Sequence, residues 1–339
     1  MKKIICGLIL VAMVSVTGAV QAATIFKDDK VQYDIKFDLQ LQWRHEARVN
    51  EDLDLEYDDT EFKNSIVYTL TDNWRALGQL DFGFKNAADS DDGRGNQADP
   101  PHLEEAWVGF GYKNWTFVMG KRFGAGDHFG VQGSLETTIA DDAVYAWGGD
   151  KLDDGIWVEG RKLGGGMVTV EASYEHAGDS NAAGVRGEEN GTWLDSVVWV
   201  DLPANVRLGG MYQYRDADGD GPEDAFNIYG VQASWFLPFI TVEGDWSAAE
   251  DRGSVMNVQV IFPKLPNGFS VGIGFVLQTR DSEFYGSNDD DITGWWANVI
   301  WFLPQQKNIR LFAEITGNDQ EVDGEDTDTG YLTGMRVLF

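Results

Sequence analysis

Cysteine is nearly absent from this sequence, since Cys6 is the only one among 339 residues. It lies inside an N-terminal apolar stretch, so we expect neither a disulfide framework nor a thiolate metal site in the rest of the chain. This position also disfavours a lipid-anchored cysteine, which normally follows the apolar residues. Backbone hydrogen bonds and side-chain packing must therefore hold the fold.

Basic residues are scarce as well: 26 Lys and Arg stand against 56 Asp and Glu, for a formal net charge of −30. A chain of this charge repels nucleic acid and should attract cations to its surface or openings. A merely solvated acidic surface would give the same composition. The placement of the charges has to decide between these two interpretations.

Only one long apolar run occurs, and it stands at the start of the chain. Lys2 and Lys3 precede an apolar stretch from Ile4 to Val16, and small residues follow up to Ala22. This pattern predicts a secretory signal peptide, residues 1–22, that is cleaved after Ala22. No other segment approaches the roughly 20 apolar residues of a spanning helix. We expect an exported chain, residues 23–339, with a net charge of −32 and no membrane helix.

The segment "VQYDIKFDLQLQW", residues 31–43, alternates apolar and polar residues without a break. This is the pattern of a strand with one apolar and one polar face. At about 3.3 Å per residue the strand is roughly 40 Å long, which is unusual for a soluble sheet. It either belongs to a long sandwich or crosses a membrane.

The alternation recurs along the chain, and no amphipathic helical segment of any length interrupts it. The sequence therefore predicts an all-β fold. The predicted strands are 31–44, 60–70, 74–85, 103–112, 115–123, 142–162, 166–175, 192–201, 205–215, 225–236, 239–247, 253–262, 268–280, 292–303, 307–318 and 328–339.

The connectors between these sixteen strands alternate in length. Those after even-numbered strands are short, as in "KN" (113–114) and "LP" (237–238), while those after odd-numbered strands are long and acidic, as in "NAADSDDGRGNQADPP" (86–101). All eight prolines fall in connectors, as expected if every strand residue donates its N–H to a ladder. Short turns at one end and long loops at the other are typical of an outer-membrane barrel, which must close because lipid cannot satisfy a sheet edge.

Aromatic residues fit this prediction of a sixteen-stranded, antiparallel transmembrane barrel. Trp74, Trp115, Trp235 and Trp301 stand at strand ends beside short turns. Amphipathic rings prefer the membrane interface. A soluble core is the alternative for tryptophan, but it does not predict clustering beside turns.

Two segments carry a family resemblance. The chain ends in "YLTGMRVLF", and residues 103–130 read "LEEAWVGFGYKNWTFVMGKRFGAGDHFG". The sequence resembles the trimeric general-diffusion porins of Gram-negative outer membranes. The resemblance implies a homotrimer in contact with outer-membrane lipid and lipopolysaccharide, short periplasmic turns, and acidic extracellular loops. It also implies a third long loop, residues 123–141, folded into the lumen, and a C-terminal Phe339 read by the barrel-assembly machinery.

The resemblance further implies a pore constriction between acidic and basic walls. Its acidic candidates are Asp127, Glu136, Asp141 and Asp142 from the third loop, together with wall positions where the family has arginines. Those positions fall on Glu61, on Glu104 or Glu105, since the pairing parity of this strand is ambiguous, and near Trp147. The family's basic lysine falls on Lys36. Lys63, Arg75 and Arg122 lie on lumen-facing parity in this sequence and are the further basic candidates. The family's Pro-Glu-Phe-Gly-Gly loop signature is absent. Glutamate in place of arginine predicts a preference for cations, unless these residues lie at the rim or at a subunit interface.

Other chemistry has weaker sequence support. "DADGDG", residues 216–221, begins like a calcium loop, with Asp216, Asp218 and Asp220 as possible ligands, but Asn227 replaces the bidentate glutamate. No Ser-His-Asp spacing is readable, so we expect neither an enzyme nor a cofactor. The favoured function is passive diffusion of small hydrophilic solutes across the outer membrane. A substrate-selective porin and a plugged structural or adhesive barrel with cation-binding loops remain the alternatives.

Overall fold

The architecture was analysed in a computed structural model. It describes residues 23–47, 53–84, 101–131, 133–135, 151–176, 192–216, 225–263, 265–281, 291–322, 325–326 and 329–339. The predicted signal peptide, residues 1–22, lies outside these ranges. None of the helices within them is both apolar enough and long enough to cross a bilayer.

Nineteen strands account for most of the described chain. They are β1 (Ala23–Lys27), β2 (Val31–His45), β3 (Asp54–Thr69), β4 (Trp74–Gly83), β5 (His102–Tyr112), β6 (Trp115–Phe123), β7 (Lys151–Leu163), β8 (Val168–His176), β9 (Thr192–Leu202), β10 (Val206–Asp216), β11 (Phe226–Phe236), β12 (Thr241–Ala249), β13 (Gly253–Phe262), β14 (Phe269–Arg280), β15 (Ile292–Phe302), β16 (Ile309–Asn318), β17 (Glu321–Val322), β18 (Glu325–Asp326) and β19 (Gly330–Leu338). Short 3-10 helices span Ala125–His128, Pro203–Asn205 and Pro266–Gly268.

Sixteen of these strands form one closed antiparallel barrel. Each strand from β2 to β16 pairs with the next, β16 pairs with β19, and β19 pairs with β2, where Leu338 lies opposite Asp38. Closure leaves no open sheet edge, as a membrane-spanning sheet requires. The all-β, sixteen-stranded architecture is thus confirmed. The two-residue strands β17 and β18 pair only with each other.

The two faces of β2 follow the alternation of the sequence. Asp38 and Gln42 are 0% exposed and point into the barrel, whereas Trp43 is 53% exposed and points outward. We call these sides the inner face and the outer face. On neighbouring strands the outer face presents apolar residues such as Val108, Met119 and Ile156. A barrel that lies in lipid and has a wet interior shows this arrangement, with polar residues inside and apolar residues outside.

Aromatic side chains form two bands on the outer face. Near the short turns lie the four predicted tryptophans, Trp74, Trp115, Trp235 and Trp301. Near the long connections lie Trp43, Tyr229, Trp246, Trp295 and Tyr331. On β15 the two bands are six residues apart, or roughly 20 Å along the strand. This spacing suits interface girdles on either side of an apolar band.

The connectors have the predicted asymmetry, with one exception. Among the described residues, the turns at one end include Lys113–Asn114 and the 3-10 turns Pro203–Asn205 and Pro266–Gly268. At the other end, β12 and β13 are joined by three residues only, 250–252. This connection is therefore no long loop, although it lies at the long-loop end.

Two strands differ from the sequence prediction. β3 begins at Asp54 rather than at residue 60. Its register with β2 shifts between the positions opposite Asp38 and Gln40, and this shift reverses which of the odd- or even-numbered residues face inward. β7 is described from Lys151 onward, and residues 142–150 of its predicted range lie outside the described residues. β1 was not predicted: it pairs with β2 along the same edge that receives the chain end, where the backbones of Phe37 and Phe339 exchange hydrogen bonds.

Candidate functional site

The connection after β6 turns into the barrel. Its 3-10 turn, Ala125–His128, is followed by Phe129 and Val131, and Ala125 and Phe129 are 0% exposed. These residues pack against an apolar patch of the inner face. The patch is formed by Val197, Met211, Ile228, Val255 and Val276. Burying Phe129 alone contributes about 1.5–3 kcal/mol, which holds this segment on the wall rather than in the open lumen.

Hydrogen bonds fix the start of this connection to the wall. The backbone N–H of Ala125 donates to Ser173 Oγ on β8 at 2.9 Å. The N–H of Val131 donates to the buried carboxylate of Asp245 on β12 at 2.6 Å. Charge-assisted bonds of this kind are stronger than neutral ones. The segment therefore crosses the inner wall from β8 toward β12.

Its far end is held by Glu314 on β16. The N–H of Leu135 and the hydroxyl of Ser134 donate to the two oxygens of this carboxylate at 2.6 and 3.0 Å. Asn298 on β15 donates to the carbonyl of Gly133 at 2.6 Å. A Cβ at Gly133 would lie 1.9 Å from Gln259 Oε1 and 2.6 Å from the ring of Trp296, so a larger residue there would have to displace both side chains. We call residues 124–131 and 133–135 the docked segment. The rest of the predicted third loop, including Glu136, Asp141 and Asp142, lies outside the described residues.

His128 and Glu171 join the docked segment to β8 by a short contact between the imidazole Nδ1 and the carboxylate. Burial lowers the pKa of His128, but the hydrogen bond and the charge of Glu171 outweigh it, with a further contribution from Asp127. The pKa of His128 is therefore raised above its ordinary value. The imidazolium form strengthens the attachment of the segment to the wall.

The opposite wall carries a row of directly opposed charged residues. Lys36 on β2 lies opposite Lys63 on β3, Lys63 opposite Asp81 on β4, and Asp81 opposite Glu105 on β5. Ala106 lies opposite Lys121, which places Arg122 on β6 beside Glu105. We call these five residues the charged row. It crosses the inner face about level with the start of the docked segment.

Most basic side chains of this wall are neutralised by carboxylates. Lys63 Nζ lies 2.7 Å from Glu61 and 2.8 Å from Asp81. Asp38 holds both Lys36, at 3.1 Å, and Arg336, at 2.7 Å.

Arg44 also takes part in ion pairs on this wall. It pairs with Glu46 at 2.5 Å and with Glu56 at 3.6 Å. These side chains are half-buried, and ion pairs in such a setting contribute little to the stability of the fold.

The predicted acidic wall residues face the lumen. Glu61 opposes Asp38, and Glu105 accepts a hydrogen bond from Gln79. Glu104 sits at a register shift and extends its carboxylate over Gly83, next to His102 at 2.6 Å. Both glutamates of the ambiguous pair thus point inward, because a bulge can place successive side chains on one side.

The remaining predicted residues are dispersed. Arg75 lies on the inner face but at the short-turn end, and Asp127 lies on the 3-10 turn. Asp216 ends β10 and accepts a hydrogen bond from Tyr214 at 3.3 Å, whereas Asp218 and Asp220 lie outside the described residues. Within the described ranges no group of three metal-ligating side chains is assembled.

Sequence reasoning missed the residues that hold the docked segment and close the wall. Asp245 and Glu314 lie on the inner parity of their strands, as does Arg336 on β19. Their parity could have been read from the sequence. Their partners could not, because each is more than 100 residues distant.

The sequence profile of the Gram-negative porin family matches residues 9–323. A porin-like protein H from Photobacterium profundum is 21% identical over the full length of both chains. The trimer form of OmpT of Vibrio cholerae is structurally similar, with a TM-score of 0.69 at 13% identity over 92% of this chain and 100% of that chain.

An anion-selective porin from Comamonas acidovorans has a TM-score of 0.70 at 10% identity, over 91% of this chain and 100% of that one. At such low identity the two solved structures bear on the fold alone. The shared fold agrees with the closed barrel, the inward segment and the charged lumen described above. The family profile also matches nearly all of the sequence. This chain belongs to the Gram-negative porin family, whose members form diffusion channels in the outer membrane rather than enzymes.

Proposed function

We propose that this porin is a general-diffusion channel that prefers cations among small hydrophilic solutes. The observation that carries the proposal is the composition of the inner face on β2–β6 and β19, where carboxylates outnumber bases. The carboxylates are Asp34, Asp38, Glu56, Asp58, Glu61, Asp81, Glu104 and Glu105, and the bases are Lys36, Arg44, Lys63, Arg75, Arg122 and Arg336. Fixed charge at a narrow aqueous passage selects ions of the opposite sign.

The opposite wall has the same bias. Its buried carboxylates include Glu171, Glu175, Asp195, Asp245 and Glu314. Several of them are engaged by backbone N–H groups or amides, which leave the negative charge in place, whereas Asp195 is matched by Arg215 at 2.5 Å and Glu171 by His128. A permeating cation therefore passes between two walls that are both net acidic.

Selection in such a channel needs no covalent chemistry. Pore width, set by the docked segment, excludes large solutes, and the wall charge discriminates among the small ones. A phosphate-selective lumen would be expected to show an excess of Lys and Arg, and this inner face has the reverse. The acidic loops would raise the local cation concentration at the opening.

The assembly proposed for the channel is a homotrimer. The structurally similar OmpT of Vibrio cholerae is described in a trimer form. The outer face of β4–β6 carries Val108, Phe110 and Met119 as exposed apolar residues, which suit either lipid or a second subunit. Lipid, lipopolysaccharide and the barrel-assembly machinery are the further partners that an outer-membrane location implies.

Proteoliposome swelling tests the proposal with residues 23–339 refolded into vesicles. Small sugars of increasing size should enter until a cutoff, and a cationic solute should enter faster than an anionic one of the same size. Equal rates for both ions would refute the cation preference. Exclusion of even the smallest sugar by a folded barrel would refute the open channel and favour the plugged, structural alternative.

A further inference from the structure

One basic side chain of the charged row differs from its neighbours. Lys36, Lys63 and Arg336 each have a carboxylate oxygen within 3.1 Å. For Arg122, by contrast, no carboxylate oxygen of the described residues comes within the 4.0 Å of an ion pair. The charged row thus ends in a cation without a direct counter-charge.

Two tryptophans hold this guanidinium instead. Its Cζ lies 3.8 Å from the ring centroid of Trp157 on β7 and 5.2 Å from that of Trp107 on β5. Both rings are on the inner face, and within the described chain neither indole N–H has a hydrogen-bond partner. The weakly hydrated, planar guanidinium is suited to such stacking, which fixes its position without removing its charge.

The carboxylates nearest to Arg122 are already engaged elsewhere. Glu105 accepts from Gln79, Glu159 is bound by Arg161, and Glu171 is bound by His128 of the docked segment. These three acids still attract the guanidinium at longer range. None of them is free to rotate onto it without giving up its own partner.

From this geometry we propose that Arg122, clamped between Trp107 and Trp157, is a selectivity-determining residue of the channel. Its fixed positive charge opposes the acidic walls and limits their preference for cations. The proposal rests on the channel function proposed above and adds the residue that tunes it. Arg122 lies where the docked segment leaves β6, so every ion that passes this segment passes the guanidinium.

The size of the effect follows from Coulomb's law. A unit charge about 8 Å from an ion in a water-filled passage changes the local ion concentration by roughly twofold, and by opposite factors for cations and anions. Removing the charge of Arg122 should therefore raise the cation-to-anion permeability ratio by about two- to fivefold. The shift should shrink at high ionic strength because salt screens it.

The test compares three variants by zero-current potential under a KCl gradient. Arg122→Gln removes the charge and should give the predicted rise in cation preference. Arg122→Lys keeps the charge and should remain near the wild type. Lys307→Gln removes the same charge from an exposed position in the short turn between β15 and β16, and should change the ratio little.

Circular dichroism and single-channel conductance establish that each variant retains the barrel and an open pore. An Arg122→Gln ratio equal to the wild type, or an equal shift in Lys307→Gln, overturns the proposal for Arg122. An equal shift in Arg122→Lys also overturns it, because the effect would then come from altered packing rather than charge. A wild type that prefers anions refutes the proposed cation preference, yet a cation-directed shift in Arg122→Gln would still support this role. A wild type that does not conduct overturns both.

Discussion

At the residue scale, two tryptophans of the outer face act as hydrogen-bond donors to turns. Trp235 Nε1 donates to the carbonyl of Ala204 at 3.2 Å, and Trp301 Nε1 donates to that of Asn267 at 3.0 Å. Both acceptors have positive φ, at 65° and 64°. Non-glycine residues in this region are strained, so the indole donors stabilise turns that the backbone alone disfavours.

Replacing Trp301 by Phe should lower the free energy of unfolding by about 0.5–1.5 kcal/mol, because it removes one hydrogen bond and keeps most of the apolar ring. Trp295→Phe is the matched control, since this tryptophan lies on the same strand without such a bond to a turn. Urea unfolding in lipid vesicles measures both. Equal losses in the two variants would show that the bond to Asn267 contributes nothing specific.

His128 provides a second prediction at this scale. Its raised pKa means that the imidazolium is favoured in the folded chain. The stabilisation from this pair is complete below the unfolded pKa of about 6.5 and is lost as pH rises through the higher folded pKa. Open-channel current should therefore become noisier as pH rises through this window. In His128→Gln the noise should not change with pH, and a pH response identical to the wild type would contradict the assignment.

At the scale of elements, the strand plan could be read from the sequence because period-two alternation reports a face directly. The alternation gave the wrong start for β3, where a register shift reverses which of the odd- or even-numbered residues face inward. It also gave no hint of what covers the inner face. Val197, Met211, Ile228 and Val255 are apolar on the side that should be wet. Apolar residues on both faces of these strands were the available signal that another segment of the chain packs there.

The docked segment should loosen when its far anchor is removed. Glu314→Ala deletes the acceptor of Leu135 N–H and of the Ser134 hydroxyl, and hydrogen bonds to charged groups contribute about 1.5–3 kcal/mol. We expect more frequent closures in single-channel recordings. Glu243→Ala is the control, since this inner-face acid receives Gln259 at 2.7 Å and has no bond to the segment. Equal gating in both variants would contradict the anchoring role.

At the scale of the whole molecule, the barrel closes where the two ends of the chain meet. Phe339 pairs with Phe37 through two backbone hydrogen bonds, and its ring lies 6.1 Å from that of Phe37. The closed barrel and its strand number were predictable because connector lengths alternate along the sequence. Which charged residues form ion pairs could not be predicted from the sequence, because the pairing depends on contacts among five strands.

Phe339→Ala should leave a refolded barrel largely intact, since only one exposed ring is lost at the end of β19. If the terminal aromatic is the assembly signal, the amount of protein inserted into the outer membrane of expressing cells should fall severalfold. Membrane fractionation measures that amount. Phe269→Ala, which alters another aromatic near the short turns, serves as the comparison. Equal insertion of wild type and Phe339→Ala would exclude the signal role.

The central proposal for the whole molecule is an open lumen whose walls are net acidic. Its most direct test is the zero-current potential of the refolded wild type, residues 23–339, in a planar bilayer under a roughly tenfold KCl gradient kept near 0.1 M or below, where screening is weak. We predict conducting channels with a potential of cation-selective sign that declines as salt is raised. Channels of anion-selective sign, or a folded barrel that conducts no current, would contradict it.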